Sequence, residues 1–205
     1  MIVIINYGMG NLGSVKNMFK KIGEAAIISS DINEIKRATK ILLPGVGSFD
    51  NAMKNLDKLG LIEIIKEKVL LERIPIMGIC LGMQLLTKGS EEGTLEGFGF
   101  INAYSKKFNF DSIDKILPIP HMGWNKTYIK KESNLLQQEE KEKRFYFVHS
   151  YAVECVNYED ILTITNYGYD FVSSFEKNNI IGCQFHPEKS HKFGMNIFKN
   201  FVEKY

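Results

Sequence analysis

The pattern of apolar and polar residues changes near residue 95 of this chain. Before that point, short apolar runs alternate with segments in which apolar residues recur every three or four positions. The runs predict strands and the periodic segments predict helices. The predicted strands are residues 2–6, 25–28, 40–43 and 75–79, and the predicted helices are residues 13–22, 31–38 and 49–71. Because the strands are apolar throughout and alternate with helices, they predict a parallel sheet covered by helices on both faces.

After residue 95, short aromatic or β-branched runs joined by turns predict antiparallel strands and hairpins. These runs are residues 98–104, 124–129, 145–149, 152–156, 161–165, 172–175 and 180–185. A last helix is predicted at 194–202, and the mixed charges of residues 130–144 predict a solvated hairpin tip. No repeat or linker interrupts the chain. We therefore expect residues 1–205 to form one α/β domain, with a mostly parallel central sheet and antiparallel additions in the C-terminal half.

Composition excludes several classes of protein. The chain has 205 residues, 44% hydrophobic and 24% charged, which is ordinary for a globular protein. Its net charge of +2 gives no sign of a nucleic acid or an anionic membrane as partner. The first residues carry no secretion signal, and no apolar run is long enough to span a membrane. Three widely spaced cysteines predict a reducing cytoplasm. The four histidines are scattered and no carboxylate pair accompanies them, so no metal site is predicted.

The segment GMGNLG, with Gly8, Gly10 and Gly13, has the spacing of a dinucleotide-binding fingerprint. It follows an apolar strand, and Asp31 lies where such folds place the carboxylate that binds the ribose. Asp31 is also suited to cap the helix predicted at 31–38. The competing interpretation is a loop whose glycines let residues 7–13 lie flat near a docking partner.

The segment IPIMGICLGMQLL has the pattern of a nucleophile elbow, with cysteine in the place of serine. A sharp turn between a strand and a helix would lift the Cys80 thiol above the edge of the sheet. Gly78 and Gly82 would leave room for the turn to pack closely. The amino end of the following helix would stabilise a thiolate. The sequence therefore predicts Cys80 as a nucleophile.

A base for this nucleophile is predicted in IIGCQFHPEKS, near the other end of the chain. His186 follows an apolar strand and Glu188 lies two residues later. In an extended chain, residues two apart project to the same side, and Pro187 favours such a path. Glu188 could then orient the imidazole of His186 toward Cys80, which predicts a Cys-His-Glu triad.

The segment LLPGVGSF predicts a glycine-rich turn at the carboxyl end of a strand, where ligands gather in open parallel sheets. The backbone amide at Gly45–Val46 could donate to an oxyanion there. The amide of Leu81, directly after the nucleophile, is the other predicted donor. Cys183 and Cys155 are expected to be structural, and His121 is expected to be a packing or interface residue.

These motifs together resemble a known family. GICLGMQLL, PGVG, PHMGWN, FVHSY and QFHPEKS, in that order, resemble the class I glutamine amidotransferases, and within them the glutaminase subunits of imidazole glycerol phosphate synthases. The resemblance implies a flavodoxin-like sheet and a glutaminase in which Cys80 forms a thioester. It implies that His186 protonates the leaving ammonia and then activates water, and that Glu188 orients His186. It also implies that no cofactor is needed.

The resemblance also implies how substrate and partner are bound. Residues that match the family's glutamine-binding positions are Gln84, Glu92, His149, Ser150 and Tyr151. The Gly45–Val46 peptide would be movable, and ammonia would pass to a (β/α)₈-barrel synthase subunit in a heterodimer. Interface positions would be Asn11, Trp124 and Lys189. The glycines of GMGNLG would then belong to an interface loop, and the dinucleotide interpretation is discarded.

Two segments depart from the histidine-pathway pattern. GFGFINAYSKKF lacks the expected proline-glycine turn, and the segment His191-Lys192-Phe193 resembles paralogues found beside surface-sugar enzymes. An N-acetyl sugar amidotransferase in surface-polysaccharide biosynthesis is therefore an alternative ammonia acceptor. Two further classes remain open, a non-catalytic docking module and a peptidase. The intact Cys80, His186 and Glu188 argue against the docking module. Labelling of Cys80 by a glutamine analogue would distinguish a glutaminase from a peptidase or another hydrolase.

Overall fold

The structure is a computed structural model, which describes residues 1–111, 117–136 and 143–205. Its strands are β1 (Ile2–Ile5), β2 (Ala26–Ser29), β3 (Lys40–Gly45), β4 (Ile76–Cys80), β5 (Ala103–Lys107), β6 (His121–Ile129), β7 (Lys143–His149), β8 (Tyr151–Cys155), β9 (Ile161–Tyr167), β10 (Tyr169–Lys177) and β11 (Ile180–Cys183). Its α-helices are α1 (Leu12–Lys21), α2 (Ile32–Lys36), α3 (Phe49–Lys58), α4 (Leu61–Lys66), α5 (Leu81–Leu85) and α6 (His191–Lys204).

The strands form one mixed sheet in the order β2-β1-β3-β4-β11-β10-β9-β6-β7, and β5 joins it through β8, which pairs with β10. The five strands from β2 to β11 are parallel, and the remaining pairings are antiparallel. Strand β11 comes from the C-terminal half of the chain but pairs with β4, with Cys183 opposite Ile79. The carboxyl ends of β4 and β11 therefore lie side by side.

Helices cover both faces of the parallel strands, as predicted. Alternate residues of one strand pack into two separate hydrophobic clusters, because successive side chains of a strand point to opposite faces. Val3 and Ile5 pack in the cluster that holds the buried residues of α2, α3 and α4. Ile2 and Ile4 pack in the cluster that holds the buried residues of α1 and α6. The predicted α/β fold class is confirmed.

The predicted helix at 49–71 is interrupted. Gly60, with φ of +66°, separates α3 from α4, and the chain continues as a π-helical turn at Glu67–Leu71. Glycine adopts this left-handed conformation without a steric penalty, so it ends one helix and starts the next. The other predicted elements before residue 95 are present, with ends that differ by one to a few residues.

The predicted strand at 98–104 is wrong over most of its length, since β5 begins only at Ala103. The backbone amides of Phe98 and Ile101 donate to the carbonyl oxygens of Leu85 and Leu86 at the end of α5 instead of pairing with a strand. The aromatic and β-branched residues of this segment are buried as an irregular layer, which hydrophobicity alone does not distinguish from a strand.

The predicted hairpin at 130–144 does connect two antiparallel strands, β6 and β7. However, Leu135, Leu136 and Lys143 are buried, so the expectation of a solvated tip is wrong for these residues. The two leucines pack in the cluster under α6, where Asn200 Nδ2 donates to the Leu135 carbonyl oxygen at 2.9 Å. Residues 137–142 of the predicted tip lie outside the described residues.

The three cysteines are free thiols. Across the described parts of the chain, no helix has the length and apolarity needed to cross a membrane. In those same parts, no group of three or more histidine, cysteine or acidic side chains is arranged to hold a metal ion.

Replacing Gly194 tests the packing that holds the segment after β11 in place. A Cβ there would lie 1.7 Å from the carbonyl oxygen of Pro187, so Gly194→Ala forces α6 away from this segment. We expect the free energy of unfolding to fall by about 1–3 kcal/mol. Gly13, in α1, is the matched control, because a Cβ there meets no atom within 4 Å. Gly13→Ala should raise stability by about 0.5–1 kcal/mol. Urea denaturation measures both changes, and equal effects would contradict this packing argument.

Candidate active site

Cys80 is the last residue of β4 and directly precedes α5. Its φ of +54° and ψ of −111° are unusual for a residue with a side chain, so the backbone here is strained. Glycines on either side make the turn possible. A Cβ at Gly78 would lie 2.5 Å from the carbonyl oxygen of Gly82, and one at Gly82 would lie 1.6 Å from that of Leu43. The elbow predicted from the sequence is present.

His186 and Glu188 lie beside Cys80. His186 Nδ1 and Glu188 Oε1 are 2.7 Å apart, and both side chains are almost completely buried. The extended path predicted through Pro187 is wrong, because Pro187–Lys189 forms a 3₁₀ turn. The turn brings the carboxylate back under the imidazole. Ser190 fixes it, since its hydroxyl donates to the His186 carbonyl oxygen and accepts from the amide of Tyr146.

The charge of the imidazole is set by its neighbours. Burial lowers the pKa of His186, but the Cys80 sulfur and the Glu188 carboxylate outweigh it and raise the pKa to about 10. His186 Nε2 is buried and has no hydrogen-bond partner of ordinary geometry among the described residues. Because Nδ1 is held by Glu188, this free Nε2 is the atom that faces the sulfur. The arrangement can stabilise an imidazolium next to a thiolate.

A cavity of about 360 Å³ opens in front of the sulfur. This volume is within the range of small-molecule sites. The cavity brings together most of the residues that the sequence predicted to act on substrate, namely Val46, Cys80, Leu81, Gln84, Glu92, His149, Ser150 and Tyr151. A larger cavity, about 880 Å³, is lined by Lys106, Lys107 and Phe108, but it contains no nucleophile and none of the predicted site residues.

Two of the lining residues also have internal partners. Glu92 Oε2 accepts from the amide of Phe49 at 2.9 Å, which places a carboxylate at the amino end of α3. Gln84 Nε2 donates to the Tyr151 carbonyl oxygen at 3.2 Å and to Gln184 Oε1 at 3.1 Å. Each side chain therefore has one oxygen left for a ligand, Glu92 Oε1 and Gln84 Oε1.

The glycine-rich turn after β3 lies against the nucleophile. Gly45 is opposite Cys80 in the pairing of β3 with β4, and Gly47 has a φ of +109°. Tyr7 holds this turn, because its buried hydroxyl donates to the Pro44 carbonyl oxygen at 2.9 Å. A Cβ at Gly45 would lie 2.3 Å from that hydroxyl. The Gly45–Val46 peptide and the amide of Leu81 thus border the same cavity.

The segment GMGNLG packs on this turn. Gly8 and Gly10 have positive φ values, and a Cβ at Gly10 would lie 3.2 Å from the Pro44 carbonyl oxygen. Asn11 caps α1, with its Oδ1 accepting from the amide of Ser14. Asp31 caps α2 as predicted, since its Oδ1 accepts from the amide of Asn33 at 2.6 Å. Gly8 and Gly10 therefore provide the positive φ values of this loop, and Gly10 allows it to pack closely on the glycine-rich turn.

Two of the predicted interface residues meet on the surface. Trp124 stacks on the ring of His191 with the planes 3° apart and meets Tyr146 edge to face. The ammonium group of Lys189 lies 5.5 Å from the centre of the Tyr146 ring. We call Trp124, Tyr146, Lys189 and His191 the aromatic surface cluster. Asn11, the third predicted interface residue, has its contacts at the start of α1 instead.

Sequence reasoning missed two residues that contact the site. Tyr7 was included in the loop but was given no role, although burial and the nearby Cys80 raise its pKa. Gln184 is fully buried, and its Nε2 donates to Cys80 Sγ at 3.7 Å. The sequence held a signal for both residues, because each is a polar residue between an apolar strand and a motif. Tyr7 precedes GMGNLG, and Gln184 lies two residues before His186.

Comparisons with known proteins agree with this geometry. The profile of the family "Glutamine amidotransferase class-I" matches residues 3–205. "Imidazole glycerol phosphate synthase subunit HisH 2" of Methanococcus maripaludis is 54% identical over 204 residues, which is 100% of each chain. The protein of the same name from Pseudomonas aeruginosa is 47% identical over 99% of each chain.

Solved structures share the fold. A crystal structure described as a glutamine amidotransferase superposes with a TM-score of 0.75 at 14% identity, covering 99% of this chain and 98% of that one. At this identity the likeness concerns the fold alone. The profile match over nearly the whole chain and the relatives of about half-identical sequence carry the assignment. The chain belongs to the class I glutamine amidotransferase family.

Proposed function

We propose that this protein is the glutaminase subunit of an imidazole glycerol phosphate synthase. It hydrolyses glutamine and feeds ammonia to a synthase partner in histidine biosynthesis. The observation that carries the proposal is a thiol on a strained turn, next to a buried histidine–carboxylate pair and a cavity of small-molecule size. The two relatives named above are such subunits by name, and each aligns over almost its full length. We also propose a cytoplasmic location, because its reducing conditions keep thiols free, as the three cysteines are here.

The catalytic roles follow from the atoms that face one another. The Cys80 thiolate attacks the side-chain amide carbon of glutamine, and the negative charge moves to the carbonyl oxygen. His186, which has received the thiol proton, gives it to the leaving nitrogen, so the C–N bond breaks and ammonia departs. The product on the enzyme is a γ-glutamyl thioester. Water then loses a proton to His186 and attacks the thioester, which releases glutamate and the thiol.

Backbone amides stabilise the oxyanion in this proposal. The Leu81 amide and the Gly45–Val46 peptide border the sulfur, and donors at such positions are worth about 10²–10³ in turnover. Glycine at 45 and 47 lets the peptide rest in an unproductive orientation and turn when a partner binds. Glu92 Oε1 and Gln84 Oε1 are the acceptors available for the α-ammonium of glutamine. The backbone at 149–151 forms the facing wall.

The proposed partner is a (β/α)₈-barrel synthase subunit in a heterodimer. The aromatic surface cluster and the loop carrying Asn11 are its proposed docking surface. Trp124 is 46% exposed, and Met122 on the same strand is 63% exposed. Exposed aromatic and methionine side chains are frequent at protein interfaces. Docking there would enclose the cavity, so that ammonia leaves toward the partner and not into solvent.

A second acceptor remains a candidate because of two observations. Both relatives carry the number 2 in their printed names, which suits organisms that hold more than one such subunit. His191, which begins the segment resembling surface-sugar paralogues, is stacked on Trp124 in the proposed docking surface. An N-acetyl sugar amidotransferase is therefore the alternative partner, with the same ammonia-producing chemistry.

Removing the thiol tests the glutaminase assignment. We expect Cys80→Ala to lower glutamine hydrolysis by at least about 10⁴-fold, because the covalent intermediate can no longer form. Cys155→Ala is the matched control, since this half-buried thiol lies on β8 and should leave turnover unchanged. In the presence of the partner, ammonium salts should restore synthesis by the Cys80→Ala complex. Glutamate release by Cys80→Ala at the wild-type rate would rule out the proposal.

The identity of the partner is tested by reconstitution. With a barrel synthase from the same organism, we expect glutamine-dependent synthesis of imidazole glycerol phosphate and a rise in glutaminase turnover on binding. Trp124→Ala should weaken the complex at least tenfold by calorimetry, because it removes the centre of the aromatic surface cluster. Tyr158→Ala, at an 83% exposed aromatic outside this surface, is the control. Ammonia transfer to a sugar amidotransferase alone would favour the second acceptor.

A further inference from the structure

A chain of hydrogen bonds leads from residues that line the cavity to the nucleophile. Gln184 follows β11, which pairs with β4, so it lies next to Cys80 at the end of the two strands. Its backbone amide is fixed to the Ser173 carbonyl oxygen at 2.9 Å. Its side-chain Nε2 donates to Cys80 Sγ at 3.7 Å. Gln184 is completely buried, so no solvent competes for this donor.

The direction of this donor is imposed by a backbone carbonyl. The Tyr151 carbonyl oxygen can only accept, so the atom of Gln84 that bonds to it must be the amide nitrogen Nε2. The same nitrogen lies 3.1 Å from the side chain of Gln184. Because this nitrogen donates, the Gln184 atom that it contacts must be the oxygen Oε1. The other terminal atom of Gln184 is then the Nε2 group that points to sulfur. A flipped amide would place its nitrogen against Gln84 Nε2, so that two donors would face each other, and would turn its oxygen toward the sulfur.

The Tyr151 carbonyl oxygen is itself held from its other side. His149 Nδ1 lies 2.8 Å from it and must donate. His149 Nε2 is then an acceptor for His121 Nδ1 at 3.1 Å. His121 Nε2 in turn accepts from Asn125 Nδ2 at 3.2 Å, whose orientation is fixed because Asn125 Oδ1 accepts from the amide of Lys126. The fixed amide of Asn125 and the Tyr151 carbonyl oxygen therefore impose the same donor-to-acceptor direction on this series of hydrogen bonds. That direction requires both His121 and His149 to be neutral.

The sulfur has different neighbours on its two sides. The thiol can donate to the Val148 carbonyl oxygen at 3.8 Å, whereas Gln184 is a donor toward sulfur. Once the thiol loses its proton, the carbonyl oxygen repels the thiolate, and the Gln184 contact becomes a charge-assisted hydrogen bond. We propose that Gln184 is a positioning residue for Cys80, which holds the thiolate for attack and is itself oriented by the Gln84–Tyr151–His149–His121–Asn125 chain.

This inference rests on the proposed function, and a substitution without a donor tests it. Gln184→Met keeps the size of the side chain but cannot donate. In the complex with the synthase partner, we expect kcat to fall about ten- to a hundredfold, with KM for glutamine changed less than about twofold. The rate at which iodoacetamide alkylates Cys80 at pH 7 should fall about ten- to a hundredfold, because the hydrogen bond that stabilises the reactive thiolate is lost. Mass spectrometry of the Cys80 peptide measures this rate.

Gln184→Glu gives a signature that a structural role would not produce. A protonated carboxyl group can donate to sulfur and an ionised one cannot. We therefore expect kcat of this variant to approach that of the wild type at acid pH and to fall to the Gln184→Met level at alkaline pH. The titratable groups that face the site are Cys80, His186, Glu188, His149, Glu92, Tyr7 and Tyr151, and they are the same in all variants. Gln184→Glu also decides the matter if Gln184→Met does not fold.

The control is Thr127→Val, which removes a buried hydroxyl bonded to Thr165 at 3.1 Å without touching the site. It should lower stability and leave kcat and alkylation unchanged. Equal kcat in wild type and folded Gln184→Met, a loss confined to KM, or a pH profile of Gln184→Glu like that of the wild type would overturn the inference. If the wild type itself does not hydrolyse glutamine, the proposed function fails, while alkylation still tests Gln184 separately.

The neutral histidines give an independent prediction. Burial lowers the pKa of His121 to about 4. Burial also lowers the pKa of His149 to about 3, although the hydrogen bond to the Tyr151 carbonyl oxygen acts in the opposite direction. In the unfolded chain these two imidazoles bind protons near pH 6.5, whereas in the folded chain they do not. Stability should therefore fall as the pH drops from 6.5 toward 4. Nitrogen-15 NMR should report neutral rings protonated at Nδ1 down to pH 5. A charged ring at pH 6 would contradict the proposed direction of the chain.

Discussion

The site depends on one backbone constraint, the left-handed conformation of Cys80 between β4 and α5. A residue with a side chain is rarely found there, and it persists only when its surroundings determine it fully. Here the surroundings are glycines at 78 and 82, whose missing Cβ atoms let β3, β4 and α5 approach one another closely at the turn. The strain is therefore compensated by the packing of the parallel sheet. The thiol projects above the sheet edge because no relaxed conformation is compatible with these contacts.

Much of this was predictable from the sequence, for a physical reason. Alternation of apolar strands with amphipathic helices fixes a parallel sheet, and in such a sheet the carboxyl ends of all strands lie at one edge. A cysteine at the end of β4 and a histidine after β11 therefore meet, although they are 106 positions apart in the chain. The prediction failed where hydrophobicity does not determine the path of the backbone. Phe98, Phe100 and Ile101 are buried without pairing as a strand. Glu188 reaches His186 through a turn and not an extended segment.

The polar contacts that Gln184 makes with the nucleophile and with Gln84 were not predictable in this way. A glutamine beside a histidine motif is as compatible with exposure as with burial, and its partner is decided by the register of β11 against β4 and by the position of the Tyr151 carbonyl. Such contacts depend on differences of one residue in strand pairing, which a hydrophobic pattern does not resolve. The signal that remains in the sequence is negative. Gln184 interrupts an otherwise apolar run between Ile180 and Phe185, and a polar residue in such a run needs a partner.

The proposed docking surface and the site share two strands. In the β6–β7 pair, Trp124 lies opposite Tyr146, and His121 lies opposite His149. Val148, whose carbonyl oxygen accepts from the thiol, is on the same strand as Tyr146, and Tyr146 also accepts from the amide of His186. A partner that binds the aromatic surface cluster therefore binds strands that already hold both the nucleophile and its base. Any shift of β7 along β6 would alter the thiol contact and the histidine contact together. The proposed activation by a partner then needs no separate moving element beyond this pair of strands and the glycine-rich turn.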